Sequence, residues 1–168
     1  MSKVLIIYGH TRKQSFAHEL GSGYAKAASV KGNEVRELYL CDEGLDKYLN
    51  YPHDMSVGMY GGLENYPEQV KDFHKLLLWA DHYVFAFPLW WGLPPALVKT
   101  FIEIAFAPKV AFKYLPPKGQ IPRWEKLLKG KTARLLVSAD STSFYYKFVT
   151  GNAIGKSFKN NILGFCGV

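Results

Sequence analysis

Tryptophan is usually at least partly buried, and two indoles side by side on a turn ask for an explanation. Phe87-Pro88-Leu89-Trp90-Trp91-Gly92 puts them beside a glycine, where backbone is exposed and can approach a ligand closely. Such a turn can hold a flat heteroaromatic, with rings against its apolar body and main-chain N–H groups at its polar edge. The rival reading, in which Trp90 and Trp91 only seal one end of the core, is the less favoured one. Upstream, Gly9-His10-Thr11-Arg12-Lys13-Gln14-Ser15 offers hydroxyls, two cations and the N–H groups of a helix start, the makings of a cradle for phosphate or pyrophosphate. It is neither a Walker A loop nor the Gly-x-Gly-x-x-Gly of dinucleotide folds. By composition the cradle weighs about evenly against an ordinary capped turn with exposed charges, and His10 alone reads as a satisfied polar residue sooner than as a catalyst. A third segment, Ala139 to Tyr146, gathers Asp140, Ser141, Tyr145 and Tyr146.

Elements must carry these segments. Val4 to Tyr8 is a continuous apolar run, the pattern of a central parallel strand covered on both faces. Ser15 is placed to cap a helix to about Ser29, with Phe16, Leu20, Tyr24, Ala27 and Ala28 on its inward face. Glu34 to Leu40 reads as a second strand, and Asp42 to Tyr66, without a period, as a long surface excursion. Pro67 opens a helix to about Ala80 that faces inward through Val70, Phe73 and Leu77. His82 to Phe87 is the third strand, and Pro94 and Pro95 suit the first turn of a helix ending near Ala105. Ala107 to Pro122 reads as an irregular excursion, Trp124 to Leu128 as a short helix and Thr132 to Ser138 as the fourth strand. A helix from Ile154 to Leu163 and the start of a fifth strand at Gly164 to Val168 complete the pattern. Alternation of strand and helix predicts the α/β class, a doubly wound parallel sheet between helical layers. Ligands of such sheets sit beyond the carboxyl ends of the strands, where all three segments fall.

Composition narrows the function. At 168 residues and 48% hydrophobic the chain suits one domain, 1–168, with one buried core. The net charge of +7 invites a polyanion, yet Lys and Arg are scattered, which argues against nucleic acid and suits a binder of phosphate-bearing small molecules. No apolar stretch reaches the ~20 residues of a membrane span. The N-terminal run lacks the segments of a signal peptide, so the cytoplasm is the expected location. Cys41 and Cys166 fit no metal-spaced or redox-spaced pair and read as buried thiols, so no metal is expected.

Taken as an ordered string, Pro88-Leu89-Trp90-Trp91-Gly92-Leu93-Pro94-Pro95-Ala96-Leu97-Val98-Lys99-Thr100-Phe101-Ile102-Glu103 resembles the NAD(P)H:quinone oxidoreductase family of flavodoxin-like flavoproteins. The Gly-His…Ser-Phe loop and Ile162-Leu163-Gly164-Phe165-Cys166-Gly167 extend the likeness over essentially the whole chain. The resemblance implies a flavodoxin-like, three-layer α/β/α fold holding FMN or FAD. It implies that His10, Arg12, Ser15, Phe16 and Ala17 contact the flavin phosphates, Ala17 replacing the family's usual Asn. Pro88, Leu89, Trp90, Trp91 and Gly92 would line the isoalloxazine, and Ser138, Ala139, Asp140 and Ser141, where many members carry Thr-Thr-Gly-Gly, would form the third cofactor loop. Members are typically homodimers, with Phe112 and Tyr114 matching the aromatic pair that a partner chain contributes and Tyr145 walling the substrate space. Tyr146 matches the active-site tyrosine, and Asn152 stands where the family has a histidine. The implied chemistry is ping-pong hydride transfer from NAD(P)H to a quinone or similar acceptor. A flavin-binding ancillary subunit of a membrane transporter is the alternative.

Overall fold

In the computed structural model, residues 1–48 and 62–168 are described; the middle of the excursion expected between Asp42 and Tyr66 lies outside them. Strand β1 (Lys3–Tyr8) is central because both of its faces are apolar: Val4, Ile6 and Tyr8 join one buried cluster, and Leu5 and Ile7 the other. It pairs in parallel with β2 (Glu34–Tyr39) on one side and with β3 (His82–Pro88) on the other. Two further strands, β4 (Phe112–Lys118) and β5 (Ile121–Lys126), form a separate antiparallel ribbon. β6 (Thr132–Ser138) closes the parallel sheet, whose order is β2-β1-β3-β6. The chain leaves β1 toward β2 and resumes at β3 on the opposite side. The order therefore reverses above β1 and β3, which opens a crevice at their carboxyl ends.

Helix α1 (Phe16–Val30) covers the Val4, Ile6 and Tyr8 face. It faces inward through Ala17, His18, Gly21, Ala25 and Ala28; of the face expected, Ala28 is buried and Tyr24 packs half-buried on the same cluster, while Phe16 and Ala27 are exposed. Close packing decides this. A Cβ on Gly21 would stand 2.4 Å from the Tyr8 ring, so a stripe of small residues lets the helix lie directly on the sheet.

On the other face lie α2 (Glu68–Trp79) and α3 (Ala96–Ala105), followed by α4 (Ala153–Lys156), a π-helical stretch (Ser157–Leu163) and α5 (Gly164–Cys166). The two prolines precede α3, Pro95 being its extended cap residue. Where a fifth strand was expected, the helix continues to Cys166. Gly164 is no breaker: a Cβ there would meet the Lys159 carbonyl at 2.3 Å, so glycine fits the widened turn, and the stop comes at Gly167 with φ 102°.

The irregular excursion and short helix expected over 107–128 are instead the β4–β5 ribbon. Tyr114 lies opposite Trp124, and Gly119 turns the chain at φ 63°. Pro116 and Pro117, at a register shift between Leu115 and Lys118, hid its alternation. Of the two thiols, Cys166 is buried as expected, and Cys41 is only half so.

His74, on α2, is buried with Nε2–H donating to the Ile104 carbonyl at 3.0 Å, and burial holds its pKa below the usual 6.5. His10 and His82 are lowered in the same sense, each mainly by burial. The unfolded chain therefore takes up more protons below about pH 6.5, so this stability is whole above that pH and is lost as pH falls toward the folded values. Thermal melting is expected to be flat from about pH 8 to 7 and to drop below about 6.5. His74→Phe, which keeps a ring against Tyr66 (centroids 5.0 Å), should flatten part of that drop. An unaltered pH profile in the variant would remove His74 from the account.

Candidate functional site

Two hydrogen bonds and one ring contact bring the carboxyl-end loops together. Gly9 N–H donates to the Ala86 carbonyl at 2.8 Å, continuing the β1–β3 ladder by one residue. A side chain at Gly9 would collide with Val98 at 2.2 Å and with Cβ of Phe87 at 2.9 Å, so only glycine lets the loops start this close together. His10 is buried, with its ring edge-on to Trp90 at 5.4 Å. Leu89 N–H donates to the Ser138 carbonyl at 2.8 Å, tying the second loop to the third.

The first loop is organised from within. Nδ1 of His10 accepts the Arg12 N–H at 2.9 Å, which places the ring proton on Nε2. Burial and the Arg12 charge push its pKa down, so the imidazole stays neutral. Ser15 caps α1 as expected, its hydroxyl accepting the His18 N–H at 3.3 Å. The N–H groups of Gln14, Phe16 and Ala17 have no partner among the described residues, as is ordinary at a helix start, where an anion is favoured. One expected cation is diverted: the Lys13 ammonium lies 2.5 Å from the Asp42 carboxylate and 5.0 Å from the centre of the Tyr39 ring. Arg12 has no acidic partner among the described residues and is the positive charge left to the cradle.

The second loop is a two-residue turn in which Trp90 and Leu93 exchange N–H···O bonds of 2.9 and 3.0 Å around Trp91 (φ 54°) and Gly92 (φ 75°). Left-handed backbone at an aromatic residue is strained, by about 1–3 kcal/mol. The strain does not serve the core, because Trp91 is fully exposed and Trp90 is 42% exposed. Pro88 is buried and Leu89 half-buried beneath them.

In the third loop Ser138 is half-buried, and Ala139, Asp140 and Ser141 are exposed. The turn into the next helical stretch is held by Thr142, which the sequence reading passed over: its carbonyl accepts the Tyr146 N–H at 3.0 Å, and its hydroxyl accepts the Tyr145 N–H at 3.4 Å. Tyr146 is half-buried, and its hydroxyl accepts the Ile154 N–H at 3.1 Å, at the start of α4. That bond uses an oxygen lone pair and leaves the phenolic proton to give. Nearby in the chain, Phe144, Tyr145, Phe148 and Val149 are exposed.

Phe112 and Tyr114 are not brought to these loops within the chain. Phe112 is buried against Phe165 at 4.9 Å, and Tyr114 is partly exposed on the ribbon. His18 was also missed; the signal was the small-residue spacing Ala17, Gly21, Ala25 and Ala28, which fixes the inward face of α1.

The parallel order β2-β1-β3-β6 with helices on both faces is the open, doubly wound arrangement. Residues 2–168 match the family described as having a flavodoxin-like fold, and the chain belongs to it. It is 28% identical over 161 residues to the "ribosyldihydronicotinamide dehydrogenase-like protein" of Penicillium crustosum, covering 86% of this chain and 60% of that protein. It is also 28% identical over 185 residues to human "ribosyldihydronicotinamide dehydrogenase [quinone]", covering 98% of this chain and 77% of that one. The solved structure of Smu.1420 from Streptococcus mutans UA159 superposes with a TM-score of 0.78 at 30% identity, over 99% of this chain and 82% of its own. Among the described residues no helix is long and apolar enough to cross a membrane, and no three metal-ligating side chains converge.

Proposed function

We propose that this chain is a flavin-dependent oxidoreductase that passes hydride from NAD(P)H to a quinone-like acceptor, donor and acceptor occupying one site in turn. The observation that carries this reading is the junction of unpartnered N–H groups with an exposed, strained tryptophan turn at the point where the sheet order reverses. The residues fit a flavin: the cradle offers three N–H groups and one free guanidinium to a phosphate, and a flat ring has room beside Trp90 and Trp91 because neither is covered. The names of the two dehydrogenase relatives agree with this activity.

Bound flavin supplies the two-electron chemistry. Arg12, Ser15 and the backbone from Gln14 to Ala17 hold its phosphate, and His10, neutral and braced against Trp90, fixes the distance between cradle and ring wall. Pro88, Leu89, Trp90, Trp91 and Gly92 wall the ring system and exclude water from one side. Ser138 to Ser141 lie beside that wall, tied to it through Leu89. The Tyr146 hydroxyl, oriented by Ile154, offers its proton where negative charge develops. Trp91, Leu93, Phe144 and Phe148 leave a broad apolar surface at this end, which suits a homodimer whose second chain completes the pocket and brings Tyr114 to it.

Protein incubated with FMN or FAD and then desalted is expected to keep one flavin per chain, and to oxidise NADH or NADPH with a quinone along parallel double-reciprocal lines. A colourless protein overturns the cofactor. Bound flavin with no acceptor reduced overturns the enzyme, and converging lines overturn alternating occupancy. Light scattering that shows only monomer at high concentration removes the shared pocket.

A further inference from the structure

Among the described residues one buried side-chain nitrogen has no partner: Nε2 of His18. The residue is 3% exposed and stands edge-on to Tyr8 and Tyr39, with ring centroids 5.0 and 5.5 Å away. An apolar side chain would fill this space without stranding a nitrogen, so packing alone does not account for an imidazole. Its other nitrogen does. Nδ1–H donates to the Lys13 carbonyl, which also accepts the Ser15 N–H at 3.1 Å. The Lys13–Gln14 peptide is trans and planar, so a carbonyl drawn inward to His18 turns the Gln14 N–H the opposite way, toward the cradle.

We propose that His18 is a positioning residue for the phosphate site: it holds the Lys13–Gln14 peptide so that an N–H, and not a carbonyl oxygen, faces the bound anion. The inference rests on the cradle being the phosphate site of the proposed flavin. Other groups near this peptide are committed elsewhere. The Arg12 N–H is given to His10, the Ser15 hydroxyl accepts the His18 N–H, and the Lys13 ammonium lies at Asp42. Released from His18, the peptide keeps only the Ser15 N–H at its carbonyl and can rotate, which would aim a lone pair at a phosphate.

Two substitutions separate this role from packing. Asparagine sets an amide nitrogen where Nδ1 stands, and glutamine carries it outward to where Nε2 stands. His18→Asn is expected to bind FMN within about threefold of the wild type, and His18→Gln about tenfold more weakly, the effect of one hydrogen bond's worth of geometry at a charged group. Riboflavin, which has no phosphate, should bind all three proteins alike. Equal losses for FMN and riboflavin in His18→Gln make the residue merely structural and overturn the proposal, as does no loss at all. Circular dichroism checks folding, and His18→Leu replaces His18→Gln if the latter does not fold. Should the wild type bind neither flavin, the proposed function fails on its own account. Calorimetry with inorganic pyrophosphate then decides the positioning role: weaker binding in His18→Gln than in His18→Asn supports it, and equal or absent binding in all three overturns it.

Discussion

Changing Arg12 and Ser15 together to alanine is expected to weaken FMN binding by roughly 100-fold or more, because a hydrogen bond to a charged group contributes about 1.5–3 kcal/mol. A titration following flavin fluorescence measures it. Arg12 should carry most of the loss, since it is the cation with no acidic partner among the described residues. Lys13→Ala is the control. Its ammonium already sits on Asp42 in an exposed, solvent-screened pair, so FMN affinity should change little. Ser15→Ala acts differently: it removes the cap of α1, at about 1 kcal/mol of stability, and frees the His18 N–H. Melting should therefore fall in Ser15→Ala and in the double variant but not in Arg12→Ala. Unchanged FMN affinity in the double variant would move the phosphate site elsewhere, and a loss in Lys13→Ala equal to that in Arg12→Ala would refute the division of labour between the two cations.

That division shows where the sequence stops speaking. Both cations are visible in Gly-His-Thr-Arg-Lys-Gln-Ser; which one faces the anion depends on Asp42, a residue beyond the next strand that no local pattern connects to Lys13. The central strands, the capped helix and the tryptophan turn were legible because each signal is local: continuous apolar runs, a serine before a helix, Gly and Pro beside aromatics. The inward face of α1 was not, because large residues were weighed above small ones. The helix lies so close to Tyr8 that Gly21 is required at the contact, and Phe16 and Ala27, which were assigned inward, are exposed. The ribbon was lost because two prolines interrupt the alternation. What holds it is tertiary: Trp124 stacks on Phe165 at 4.6 Å, and its indole N–H donates to the Phe165 carbonyl at 2.9 Å.

Tyr146→Phe is expected to slow turnover at saturating donor by about tenfold, below the roughly 10²–10³-fold seen when a buried, well-aligned donor is removed. Tyr146 is half-buried, so water can replace part of what its hydroxyl gives. Six residues on stands Asn152 and not a histidine. His82 is the last histidine in the chain, and a Cβ on Gly155 would meet Oδ1 of Asn152 at 2.4 Å, so the Asn152 amide is folded over the start of α4. The same hydroxyl also receives the Ile154 N–H, so the variant loses a helix-start partner at about 1 kcal/mol. The two effects are read separately, by steady-state rate and by thermal melting. A melting loss with turnover intact would make Tyr146 a helix cap and a wall of the pocket. A slower rate that stays the same after correction for the folded fraction would make its proton part of the chemistry.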